Sequence, residues 1–326
     1  HRRDPDHRHG LGPGHLGHQT VYFNPWAGSP QVNAYIAWAA DALQKRHGIT
    51  LEHVKLTDTA EAVRRVRDEV KAGKDGSVDL IWINGQNFHV MKEEQLLFGP
   101  FAGELPNFAL VDVDGKPTTI VDFAEGTEGL ESPWGMAQLT FFADGAKLNT
   151  PPMSMMELLD LAREEPGRIT YPAPPDFHGT TFVKQALVET IGDRALLPVA
   201  IDKAEFTKAA EPLFEFLDQL HPHLWRAGKQ FPPSQAQVTQ MLADGELLMG
   251  LTFNPNEAAN LVSDGTLPAT TIAWQNRGGT IGNTHFVAIP VNSTSKAAAQ
   301  VVANFLLSPE AQARKARDAA IACADI

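Results

Sequence analysis

From Gln19 onward, apolar and polar positions alternate between short extended runs and longer amphipathic ones. QTVYF reads as a strand and NPWAGSP as the loop after it. QVNAYIAWAADALQKRH follows as a helix, with Val32, Ile36, Ala39, Ala40 and Leu43 at helical spacing. ITLEHVKL alternates as a half-buried strand does. AEAVRRVRDEVKAG is a helix closed by Gly73, and VDLIWI is a short apolar strand of the kind buried on both faces. Strand–helix–strand–helix–strand predicts a parallel sheet with helical crossovers.

Further along, GLESPWGMAQLTFFADGAKL begins as a loop and becomes a long extended stretch, and a second α/β region follows. There, FPPSQAQVTQMLADGELLMGLTFNPNEAANLVSDG gives helix, tight turn, strand, and a helix started at Asn254–Asn256. TIGNTHFVAIP is a second extended stretch. SKAAAQVVANFLLSPEAQARKA closes the pattern with one helix and the start of another at Ser308–Pro309, an N-cap and first-turn proline. Two α/β regions joined by two extended crossings describe a hinged two-lobe clamp. The expected organisation is residues 19–136 plus 286–326 in lobe 1 and 137–285 in lobe 2, with 1–18 a disordered or artefactual leader.

Ligands of open α/β sheets sit beyond the carboxyl ends of the strands. In a clamp those ends face one another, which places NPWAGSP, NGQNF, PPDFHGTTF and FNPNE at the mouth. In the first, Trp26 offers a flat π-face, and Gly28 and Ser29 begin a helix; the alternative is Trp26 buried between strand and helix. In the second, Asn84 and Gly85 mark a sharp exit from a strand, while Trp82 reads as core. In the third, Phe177, His178, Gly179, Thr180 and Thr181 stand at a helix start whose N–H groups suit an anionic oxygen; the alternative is plain capping with Phe177 packed inward. Trp134 lies before the first crossing as a possible stacking wall. Asn254, Asn256 and Asn283 are neutral polar groups near the second crossing, where His285 reads as a turn or hinge hydrogen-bonder.

Composition narrows the function. The chain has 326 residues, 43% hydrophobic and 20% charged, enough for sizeable cores. A net charge of −12 argues against nucleic acid as a partner, which wants clustered Lys and Arg. The single cysteine, Cys323, excludes disulfides within the chain and a cysteine-rich metal site. Five of the twelve histidines lie in the first 18 residues. In HPHLW, His221 and His223 sit two apart with no acidic or cysteine pair to complete a zinc site, so no metal is expected. No GxGxxG or P-loop occurs, no Ser/His/Asp set stands out, and no cofactor or catalytic chemistry is expected.

Taken together, VDLIWINGQNFHVMKEEQLL, ESPWGMAQLTF, TYPAPPDFHGTTF, LHPHLWRAGKQFPPS, LTFNPNEA, IGNTHFVAIP and VVANFLLSPEAQ resemble bacterial extracellular solute-binding proteins of family 1, within them the YnjB branch. That branch is similar to the thiamine, polyamine and iron-binding proteins of ABC importers. The resemblance implies an α/β, type II-like periplasmic-binding-protein clamp with two hinge-crossing strands. It implies a monomer, periplasmic or extracytoplasmic and membrane-tethered, that captures a small organic solute and delivers it to a membrane permease. A thiamine-like or other cationic heteroaromatic compound is one ligand class it suggests; a small anion such as a phosphonate, held at the GTTF helix start, is the other. Thiaminase-type enzymes resemble the clamp but need a cleft cysteine, whereas the sole cysteine here, Cys323, belongs to the atypical C-terminus; an enzyme of another mechanism on the same fold is the remaining alternative. The chain departs from the family at its His-rich start and at ARDAAIACADI, where a C-terminal segment of the family is expected to be missing.

Overall fold

A computed structural model describes residues 19–27, 29–197 and 201–317; the leader, Gly28, Cys323 and the final residues lie outside them. The first lobe is built on β1 (Thr20–Asn24), α1 (Pro30–His47), β2 (Thr50–His53), α2 (Thr59–Lys71), β3 (Leu80–Ile83) and α3 (Gln86–Glu93). β1 pairs with β2 and β3 in parallel, as the alternating pattern requires. Helix α1 starts where Ser29 Oγ accepts the Val32 N–H and ends at Gly48, in the left-handed conformation at φ 64°. Glycine adopts that φ without a Cβ penalty.

After a hairpin of β4 (Val121–Asp122) and β5 (Glu125–Gly126), β6 (Glu131–Gln138) runs directly into β7 (Thr140–Asp144). The second lobe then adds α4 (Met155–Glu164), α5 (Phe177–Thr190), α6 (Lys203–Ala209), α7 (Glu211–Leu220), α8 (Gln235–Ala243), β8 (Met249–Thr252), α9 (Glu257–Ser263) and β9 (Thr271–Trp274). The chain returns through β10 (Gly282–Ala288) to α10 (Lys296–Leu306) and α11 (Pro309–Arg317).

The larger sheet has the order β2-β1-β3-β10-β6, and the smaller, β8-β7-β9, is antiparallel. Strand β10 makes the larger sheet mixed, because it is antiparallel to both β3 and β6. Strand β3 shows why its sequence is apolar throughout. Leu80 and Trp82 join the core beneath α1 and α10, whereas Ile81 and Ile83 join the core beneath α2 and α3. A third core, containing Phe141, Phe142, Phe182 and Phe216, lies under the helices of the smaller sheet. Each such side chain taken from water contributes roughly 1.5–3 kcal/mol before entropy is counted.

The sheets are joined where β6 becomes β7 and where β10 begins. The Gln138 N–H donates to the Phe253 carbonyl, and the Leu139 N–H donates to that of Ile281. The two crossings connect the sheets of the two-lobe clamp.

Candidate functional site

Between the two sheets lies a cleft of about 700 Å³. Its first wall comes from the loops that leave the carboxyl ends of β1, β2 and β3: Trp26 and Ser29, then Thr57 to Thr59, then Asn84 and Asn87. Its second wall is the start of α5, with Asp176, Phe177 and His178, and the β8–α9 loop with Phe253, Asn254 and Glu257. Trp134, Asn283 and His285, on the crossing strands, form the floor.

The aromatic rings are arranged edge to face. Trp26 is 41% exposed and meets Trp82 at 6.2 Å, and Trp82 meets Trp134 at 4.9 Å. Across the cleft Phe177, 47% exposed, meets Phe253 at 5.0 Å. Exposed rings backed by buried ones leave their outer π-faces free for a planar or cationic group. Two buried polar atoms of lining residues, Trp134 Nε1 and Asn283 Oδ1, have no hydrogen-bond partner among the described residues. One is a donor and the other an acceptor.

The charge of the cleft is negative. Asp58, Asp176 and Glu257 line it, and no lysine or arginine does among the described residues. Burial holds the Glu257 carboxyl above its usual range despite the hydrogen bond from Asn254. Both cleft histidines are driven toward the neutral form by burial. His178 is lowered against the opposing pull of Asp176; His285 is lowered to about 3, with the charge of Lys315 adding to the effect. Lys315 itself is buried behind Trp134, its Nζ 4.1 Å from the ring centroid, and desolvation holds its pKa well below the ordinary lysine value.

The helix starts are capped from within. Asp58 accepts the Ala60 N–H at α2. At α5 one carboxylate oxygen of Asp176 accepts the N–H groups of His178 and Gly179, and the Asp176 carbonyl accepts that of Thr180. The α5 start is therefore a capped terminus with an acid on it. Gly179 is buried, and a Cβ there would overlap the Pro172 carbonyl oxygen. It serves close packing of α5 on the 172–174 segment. Thr181 turns its hydroxyl back to the Phe177 carbonyl, and neither it nor Thr180 lines the cleft.

Of the residues expected from sequence, the cleft brings together Trp26, Ser29, Asn84, Trp134, Phe177, His178, Asn254 and Asn283. Gly85, Gly179, Thr180, Thr181 and Asn256 fall outside its lining, and Gly28 lies outside the described residues. Gly85 acts one step back: at φ 58° and ψ −130° it makes the turn into α3, and its N–H donates to Asp122 Oδ2 at 2.7 Å. Asn256 gives its N–H to Asn254 Oδ1, so it supports the turn that presents Asn254. Trp82 and His285, read as core and hinge, both reach the cleft. Asp58 and its neighbours were missed although TDTAE carries an N-cap signature after a strand, the same signal that selected the other loops.

A two-lobe α/β clamp with a lined cleft between its sheets has room to hold a small molecule. Comparison with known proteins gives the class its name. Residues 38–322 match the family model for bacterial extracellular solute-binding proteins, and the chain belongs to that family. Protein YnjB of Escherichia coli strain K12 is 47% identical over 300 residues, which span 91% of this chain and 77% of YnjB. Among solved structures, the spermidine/putrescine ABC transporter substrate-binding protein PotD of Streptococcus pneumoniae superposes with a TM-score of 0.70 at 13% identity, covering 94% of this chain and 83% of that one. The periplasmic binding protein AfuA of Actinobacillus pleuropneumoniae, solved with fructose-6-phosphate bound, gives 0.62 at 15%, covering 94% and 85%. By that membership the chain is a solute-binding protein whose ligand is a small molecule. No helix among the described residues is long and apolar enough to cross a membrane.

Proposed function

We propose that the cleft captures a small organic cation, with a flat or heteroaromatic body, for delivery to the permease. The observation that carries this is the lining itself: three carboxylates and five aromatic rings with no lysine or arginine. An ammonium or cationic ring between Trp26 and Phe177 gains cation–π attraction of roughly 0.5–2 kcal/mol per face. A charge-assisted hydrogen bond to Glu257 adds to it, while Trp134 Nε1 and Asn283 Oδ1 fix orientation. An anion would meet the same carboxylates at the helix starts that should have received it. Contacts to both walls favour the closed form, because only differential affinity shifts such an equilibrium. The lobes we assign are 19–136 plus 286–326 and 137–285, supported by the passage of the chain between sheets near 138–140 and 280–282. The working form is a periplasmic monomer with no nucleic-acid partner, in keeping with the −12 charge.

The test is a thermal-shift screen of the chain against thiamine, spermidine, putrescine, amino acids, phosphonates and fructose-6-phosphate. Cationic members should raise the melting temperature progressively with concentration, with about 2.7 kcal/mol of stabilisation at a hundred times Kd. Trp26→Ala and Phe177→Ala should each weaken the best binder by about tenfold, the upper part of the cation–π range. A shift with phosphonate or sugar phosphate alone would sink the cation reading.

A further inference from the structure

Away from the cleft, the face of α3 meets the β4–β5 hairpin at a cluster of metal-ligating side chains that solute capture does not use. His89 and Glu93 are four apart on α3 and so share a helical face, and Glu125 comes from β5. One ligand atom from each lies within 4.8 Å of the others, and His89 Nδ1 is already 2.7 Å from Glu125 Oε2. Lys92 holds the other oxygen, Oε1, at 3.2 Å and bonds Glu128 at 2.9 Å.

A second observation shows that Lys92 does not satisfy the negative charge gathered here. Asp122 stands opposite Glu125 in the hairpin ladder, so the two carboxyls leave the strands on the same face. Asp122 is 3% exposed and its Oδ1 has no hydrogen-bond partner; Glu131 is 1% exposed and neither of its carboxylate oxygens has one. Buried carboxyls without partners are costly unless a compensating charge lies nearby.

We propose that His89, Glu93 and Glu125 bind a divalent cation of the zinc type, which clips the β4–β5 hairpin to α3. One imidazole and two carboxylates are donors suited to such an ion at about 2.0–2.2 Å, and the exposed side leaves room for water as a fourth ligand. The ion replaces the proton between His89 Nδ1 and Glu125 Oε2, which passes to solvent. Through Asp122, whose carboxylate holds the Gly85 N–H, the same hairpin braces the turn that presents Asn84 to the cleft. The site departs from the sequence reading, which expected no metal, because its ligands come from segments 32 residues apart in the chain, Glu93 and Glu125.

The test is calorimetric titration of the chelator-stripped full chain with zinc chloride, beside His89→Ala, Glu93→Gln and Glu125→Gln. The five histidines of the first 18 residues offer competing ligands in every sample, so the readout is a difference. Each variant should bind one equivalent fewer than the parent, and zinc should raise the parent's melting temperature more than theirs. His89→Ala and Glu93→Gln alter exposed side chains and should keep the parent's circular dichroism. Equal stoichiometry and equal thermal shift in the parent and in folded His89→Ala and Glu93→Gln would overturn the proposal. The outcome is independent of which solute the cleft takes.

Discussion

Single residues set the chemistry of this cleft through what surrounds them. Trp26 and Phe177 keep a face exposed because Trp82 and Phe253 already occupy the space behind them. Glu257 titrates under two opposed influences: burial raises its pKa and the Asn254 hydrogen bond lowers it, with burial the larger. A raised carboxyl contributes stability that is present below its unfolded pKa and lost as pH rises through its folded one. Binding of an organic cation reverses the preference, since it favours the ionised form. Affinity should therefore rise with pH through the raised Glu257 pKa, by up to about tenfold per unit, and level off above it. Burial favours the neutral imidazole of both His178 and His285, and lowers His285 to about 3. Calorimetry from pH 5 to 8 measures the slope, and Glu257→Gln should flatten it; a slope that persists in Glu257→Gln would assign the effect elsewhere.

At the scale of elements, helix starts organise the site. The caps of α1 and α2 and the start of α5 all come from loops beyond strands or extended segments, so their capping side chains reach the cleft as a by-product of ending the helix. PAPPDFHGTTF shows the two duties divided between neighbours. Asp176 caps, Phe177 and His178 face the cleft, and Gly179 lets the helix lie against its own approach. Gly179→Ala should force a backbone shift there, costing roughly 1–3 kcal/mol. Thermal denaturation should show a fall of a few degrees, whereas an unchanged melting temperature would mean that the 172–174 segment yields freely. The pattern of turns and caps was legible along the chain. Which of two adjacent residues faces the ligand was not, because helical phase at a cap depends on the packing partner as well as on the sequence beside it.

For the whole molecule, the decisive feature is that, among the described residues, the two sheets are joined by two crossings. A ligand that touches Trp26 on one wall and Phe177 on the other stabilises the closed form directly. Small-angle scattering should show a smaller radius of gyration on saturation with the cation found in the screen, in proportion to occupancy. No contraction in the presence of measured tight binding would mean that the cleft is already closed without ligand.

By itself, the sequence determined the alternation of strands and helices, the parallel pairing around β1, the two-lobe plan, the family, and four of the loops that meet at the cleft. Those follow from periodicity and turn chemistry, which are local and therefore readable in one dimension. Only the tertiary structure decided that Trp82 and His285 reach the cleft, that Asp58, Asp176 and Glu257 make it acidic, and that Thr180 and Thr181 stand aside. It also brought His89 and Glu93 against Glu125. Burial and charge at a point are sums over neighbours from distant segments, and a chain read along its length does not contain those distances.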